Sequence, residues 1–200
     1  MAIATTAMCL PVMAQKRSSL WNDTFNAGVS YSTNVLNEKT IDYRGGALNF
    51  GYRKFLYYGL FVMPEASLYW QKYDCTTERV SSPYPPDFGD QDSKAEKDKL
   101  NRVGLGIDAL LGIRISMAEK VGIDLMAGPY IGWSFANKED GFSYDYDNFE
   151  VRGRFGVGIS VLDKIYVNAF YDVCKKKFID DNSYHNNRGN IVTVGIGYTF

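Results

Sequence analysis

No run of about 18 apolar residues occurs in this chain, so it carries no membrane-spanning helix. Mean hydropathy is slightly negative. Neither fact makes the protein soluble, because strands that alternate apolar and polar residues hide a spanning barrel from averaged scales. Excess charge is missing too. Lys and Arg number 22 against 23 Asp and Glu, a net −1, which gives no electrostatic reason to expect nucleic acid or an acidic partner. Histidine occurs once, at His185, and cysteine only three times. Cys9 follows Met8, too large a residue for the usual lipid-attachment site. What is plentiful is 15 Tyr, 12 Phe and 19 Gly in 200 residues, a β-rich composition for one domain.

The first 14 residues are small and apolar, and Val12-Met13-Ala14 fits a signal-cleavage site before Gln15. The charged leading segment is absent, so residues 1–14 read as a signal-peptide remnant. Residues 15–23 then form a polar periplasmic segment, and residues 24–200 remain for the folded domain.

Those residues fall into eight alternating segments: 24–33, 44–53, 57–73, 101–115, 121–136, 150–161, 165–174 and 190–200. In the last, Val192, Val194, Ile196, Tyr198 and Phe200 share one face, while Thr193, Gly195, Gly197 and Thr199 share the other. In the fourth, Val103, Leu105, Ile107 and Ala109 oppose Arg102, Gly104, Gly106 and Asp108. Only in the third do Phe61 and Met63 blur the polar side. Connections alternate between short (54–56, 116–120, 162–164) and long (34–43, 74–100, 137–149, 175–189). Short turns on one rim and long loops on the other predict an all-β fold, an eight-stranded antiparallel up-and-down transmembrane β-barrel.

Alternation alone does not say which face is inside, since a soluble lipocalin-like ligand-binding barrel alternates as well. Glycine decides it. Nearly all strand glycines share the polar face, Gly46 and Gly153 being the exceptions, and Gly59 is counted with the polar set. A solvent-facing surface gains nothing from glycine, whereas a narrow lumen needs small residues opposite large ones. The polar face therefore points inward. It carries an interior charge network of Arg53, Glu65, Arg102, Asp108, Arg114, Asp124, Arg152, Arg154 and Asp172, and buried charges must pair. The tight turns bring Arg114 near Asp124 and set Arg154 opposite Asp172. Glu65 and Asp108 have Arg102 or Arg154 as expected partners. Eight strands leave little more than side-chain room, so this set reads as a packed plug rather than an ion path.

With the strands placed, the chain resembles the PorT-type family of outer-membrane β-barrel domains. The likeness rests on Met63-Pro64-Glu65, on Ala127-Gly128-Pro129-Tyr130-Ile131-Gly132-Trp133 and on the closing strand, and it covers nearly the whole mature chain. It implies a cell outer membrane of Gram-negative type. Thr193, Gly195, Tyr198 and Phe200 resemble the assembly signal of such barrels, which implies recognition by the barrel-assembly machinery. The long connection at 74–100 departs from the family, so nothing of its relatives' loops carries over.

The remaining candidates have ordinary explanations. His185 with Ser183 and Asp180 or Asp181 has the composition of an acyl-transfer triad, but no strand holds the three rigidly. Cys75 and Cys174 share inward parity on strands expected to lie across the barrel, farther apart than a disulfide allows, so that only a loop folding inward would join them. Asp87, Asp90 and Asp92, and Asp140, Asp145, Asp147 and Glu150, match no calcium-loop spacing, so no metal and no cofactor is expected. Pro83, Pro85 and Pro86 stiffen a long loop. Tyr69, Trp70, Tyr73, Trp133, Phe135, Tyr171 and Tyr198 read as interface girdles. The expectation is a monomeric, non-enzymatic barrel in the lipid bilayer whose four long loops bind an extracellular ligand or protein. An outer-membrane lipid-modifying enzyme is the alternative.

Overall fold

The computed structural model describes residues 22–35, 41–77, 96–118, 120–140, 145–146, 148–162, 164–174, 179–180 and 190–200. Eight strands close into one barrel: β1 (Thr24–Asn34), β2 (Ile41–Tyr57), β3 (Leu60–Thr77), β4 (Glu96–Ala118), β5 (Val121–Asp140), β7 (Phe149–Val161), β8 (Ile165–Cys174) and β10 (Ile191–Thr199). Each pairs antiparallel with its sequence neighbour, and β10 returns to β1 to seal the ring. Two short strands, β6 (Asp145–Tyr146) and β9 (Ile179–Asp180), pair with each other within the long connections. Closure matters because an open edge in lipid would leave a row of unmet N–H and C=O groups.

The orientation follows from exposure. Leu105, Ile107 and Ile131 are 50%, 63% and 43% exposed, whereas Asp108 and Arg154 are 3% and 8% exposed. Apolar side chains cover the outside and polar ones fill the inside, the reverse of a soluble ligand-binding barrel, so that alternative falls. Leu60 and Trp70 both face outward on β3. At ~3.4 Å per residue and a tilt of ~40°, the stretch between them is about 26 Å tall, close to the ~25 Å apolar band of an outer-membrane barrel.

Strand ends differ from the sequence reading in places. Residues 54–56 form no turn: β2 runs on to Tyr57 and pairs with Leu60. The turn is Tyr58-Gly59, with φ of 46° and 81°. Positive φ at both central residues matches the twist of the flanking strands, so Gly59 belongs to a turn and not to the polar face. At the opposite rim the expected long loops lose residues to strands, because β3 continues to Thr77 and β4 begins at Glu96. Both chain ends of the barrel lie beside the short turns, where the Phe200 N–H donates to the Phe25 carbonyl at 2.8 Å.

Tyr69 and Tyr73, expected in the girdle, are buried inside. Successive side chains on a strand alternate, so with Trp70 and Lys72 outward the odd-numbered residues beside them, Tyr69 and Tyr73 included, face the lumen. Trp70, Trp133, Phe135, Tyr171 and Tyr198 do face outward. Glu150, expected in a solvated acidic loop, is an interior residue of β7.

Candidate functional site

Inward-facing side chains stack in layers along the lumen. Nearest the short turns, Arg114 donates to Asp124 through Nε at 2.6 Å and a terminal nitrogen at 2.7 Å, and to Ser160 Oγ at 2.6 Å. Arg114 and Asp124 stand directly opposite each other on β4 and β5, whose hairpin sets that register. From across the ring, Arg53 on β2 reaches the same carboxylate at 3.2 Å. One buried carboxylate thus serves two guanidinium groups, one held by a bidentate fork.

Above this layer lies an apolar septum of Phe61, Met63, Leu110, Met126, Tyr166 and Phe170. It is drawn from β3, β4, β5 and β8. The Arg53 guanidinium sits over the rings of Phe61 and Tyr166, at 5.1 and 4.5 Å from their centroids. Such stacking lets a cation border a greasy layer at little desolvation cost.

A second ionic layer sits above the septum. Arg154 donates to Asp172 at 2.9 and 3.0 Å and to Asp108 at 2.5 Å. Its guanidinium also lies over Tyr130 and Phe170. Arg152 donates to Glu150 at 2.7 Å and stands 3.6 Å from Asp172. Gln71 Nε2 donates to the same Glu150 at 3.4 Å. Higher still, Arg102 donates to Ser134 Oγ from Nε at 3.1 Å and by a shorter bond from a terminal nitrogen.

Every residue of the interior set is buried. The structure brings together Arg53, Arg114 and Asp124 in one group, and Asp108, Arg152, Arg154 and Asp172 in another. Arg102 meets a serine and neither Glu65 nor Asp108. Glu65 lies opposite Asp108 across the β3–β4 ladder and has no ion pair within 4 Å among the described residues. It faces two interior cavities of about 30 and 20 Å³, bordered by polar groups including Asn49 and Asn168. Spaces of that size hold a water or two and no solute.

The septum was the part that sequence reasoning missed. Its residues have the inward parity of Glu65, Asp108 and Asp124, but an apolar side chain on a polar face reads as noise when strands are taken one at a time. Of the other candidates, Ser183, His185, Asp87, Asp90, Asp92 and the prolines at 83, 85 and 86 lie outside the described residues, as do the side chains of Cys75, Cys174, Asp140 and Asp145. On the closing strand Thr193 is buried, while Tyr198 and Phe200 face outward with their rings in edge contact at 5.0 Å.

Comparison with known proteins gives three findings. Residues 2–200 match the family described as outer membrane protein beta-barrel domain. No curated protein matches the chain. Among solved structures, Ail, the attachment invasion locus protein of Yersinia pestis, is 15% identical over 89% of this chain and 97% of its own, with a TM-score of 0.44. The same protein in complex with the heparin analogue sucrose octasulfate is 13% identical over the same shares, at 0.38. Likeness at that level carries no argument about activity.

Proposed function

This chain belongs to the outer membrane protein beta-barrel domain family and sits in the Gram-negative outer membrane, and from that premise we propose a non-catalytic, non-conducting barrel that works at its outer rim. The four long connections serve as a binding or adhesion surface, held in place by a rigid, filled wall. The observation that carries this reading is the stacked lumen, in which an apolar septum lies between two ionic layers. Among the described residues, interior spaces for a water or two leave no route for a solute, so the exposed activity of the domain falls to its loops. The interior charge set is then a structural plug that holds the strands in one register.

The same reading takes residues 1–14 as an export-signal remnant, 15–23 as a periplasmic segment and 24–200 as a monomeric barrel of the PorT-like kind. Thr193, Gly195, Tyr198 and Phe200 would be the strand read by the barrel-assembly machinery. The outward aromatic pair at its end supports that role, because it offers a periodic greasy edge before the ring closes.

Two measurements test the reading. In planar bilayers the purified barrel gives no unitary conductance steps, and regular steps would overturn the plug. Cells expressing the chain adhere to one another or to epithelial monolayers, and replacing residues 78–95 by a short Gly-Ser turn abolishes that adhesion. Undiminished adhesion by the loop-shortened barrel would remove that loop from the reading.

A further inference from the structure

On the outer wall at the long-loop rim, strands β2 to β5 carry a rung of outward cations. Arg44 stands opposite Lys72, Lys72 opposite Asn101, and Asn101 opposite Lys138. All four side chains are exposed. One rung farther out, Lys99 is exposed as well. Asp42 pairs with Arg44 at 2.7 Å and Asp74 with Lys72 at 2.9 Å. Lys99 and Lys138 make no ion pair within 4 Å among the described residues. Glu139 stands opposite the inward-facing Leu100 and belongs to the other face. Asp140 holds the position opposite Lys99 on this same face, so the four cations stand against Asp42, Asp74 and Asp140 and leave a positive surplus of one among these positions.

Directly on the membrane side of this rung lies a shallow cleft of about 690 Å³, which Arg44, Lys72 and Asn101 border. Its floor is apolar, from Tyr31, Trp70 and Val103. Gly46 makes room for the Trp70 indole, which lies across the bare backbone where a side chain would collide with it. Cations above and grease below, on one wall, match a lipid that has an anionic head and acyl chains. Short turns mark the periplasmic rim of such barrels, so this wall meets the outer leaflet.

We propose that this wall is a binding site for the phosphorylated headgroup of lipopolysaccharide, with an acyl chain lying along the Trp70 cleft. The rung spans three strand spacings of ~4.8 Å, about 14 Å, wider than one phosphate bridges. A glycolipid with a phosphate at each end of a disaccharide engages both ends of the rung, Arg44 and Lys72 at one and Lys138 at the other. A phospholipid engages only one. Asp42 and Asp74 hold the Arg44 and Lys72 side chains in place on the rung.

The test uses the full barrel in nanodiscs. Retention of bisphosphorylated lipid A, of its monophosphorylated form and of phosphatidylglycerol is measured by native mass spectrometry. Wild type is expected to retain the bisphosphorylated lipid best. Each cation near an anionic lipid contributes roughly fivefold in affinity, so the triple variant R44Q/K72Q/K138Q loses on the order of a hundredfold. The opposite-rim control K54Q/K164Q retains the lipid as wild type does, and heat-modifiable gel mobility shows that both variants are folded barrels. Equal retention by the triple variant and wild type would overturn the site. So would equal retention of phosphatidylglycerol and bisphosphorylated lipid A, which would mean general electrostatic attraction.

Discussion

Asp124→Asn is the substitution that asks most of the lumen. Asp124 is fully buried and accepts two charge-assisted bonds from Arg114 at 2.6 and 2.7 Å, with Arg53 at 3.2 Å. Removing one partner of a buried pair costs about 3–5 kcal/mol, since the other charge stays desolvated. The asparagine oxygen still accepts one bond, returning about 1 kcal/mol. Against that, Arg53 also loses its carboxylate, and ring stacking offsets at most about 2 kcal/mol of its desolvation. The expected net loss is therefore about 3–4 kcal/mol. Urea titration in lipid vesicles, read by tryptophan emission and by the shift between folded and unfolded gel bands, gives the stability. Arg114→Met and the double variant complete a cycle whose coupling is expected at about 2 kcal/mol or more, short of full rescue because Arg53 remains. A loss below about 1 kcal/mol for D124N, or coupling indistinguishable from zero, would refute the view that this carboxylate anchors the layer.

Three further outcomes follow from the packing of the barrel. A Cβ at Gly128 collides with the Ala109 backbone carbonyl, whereas one at Gly51 comes no nearer than 3.4 Å to the movable Glu65 carboxylate, so G128A lowers the urea midpoint and G51A leaves it nearly unchanged. Leu110→Ala hollows the septum and costs about 2–5 kcal/mol, read in the same titration; a cost under about 1 kcal/mol would show that the layer is not packed. Tyr58 holds φ 46° in the hairpin turn, a region that asparagine tolerates far better than tyrosine. Y58N is accordingly stabilising by about 0.5–1 kcal/mol, and a lowered midpoint would count against strain at that turn.

Much of this architecture is local, and local features are readable along a chain. Strand existence follows from the period of two, because successive side chains must point to opposite sides. Hairpin partners follow from turn length, which is why Arg114 opposite Asp124 and Arg154 opposite Asp172 need no coordinates. Strand ends are less legible: nothing in residues 54–60 marks Tyr58-Gly59 over 54–56 until the ladder of β2 with β3 is counted. Contacts that cross the ring are not legible at all. Arg53 reaches Asp124, and Arg154 reaches Asp108, between strands that share no hairpin, at a height fixed only when β10 closes on β1. The septum belongs with them, since six inward apolar residues on four strands become one layer only after tilt and stagger bring them level. Sequence by itself determined the ring, its inside and its outside; closure alone decided which buried charges meet and where the lumen is sealed, because both depend on distances between strands that the chain visits far apart.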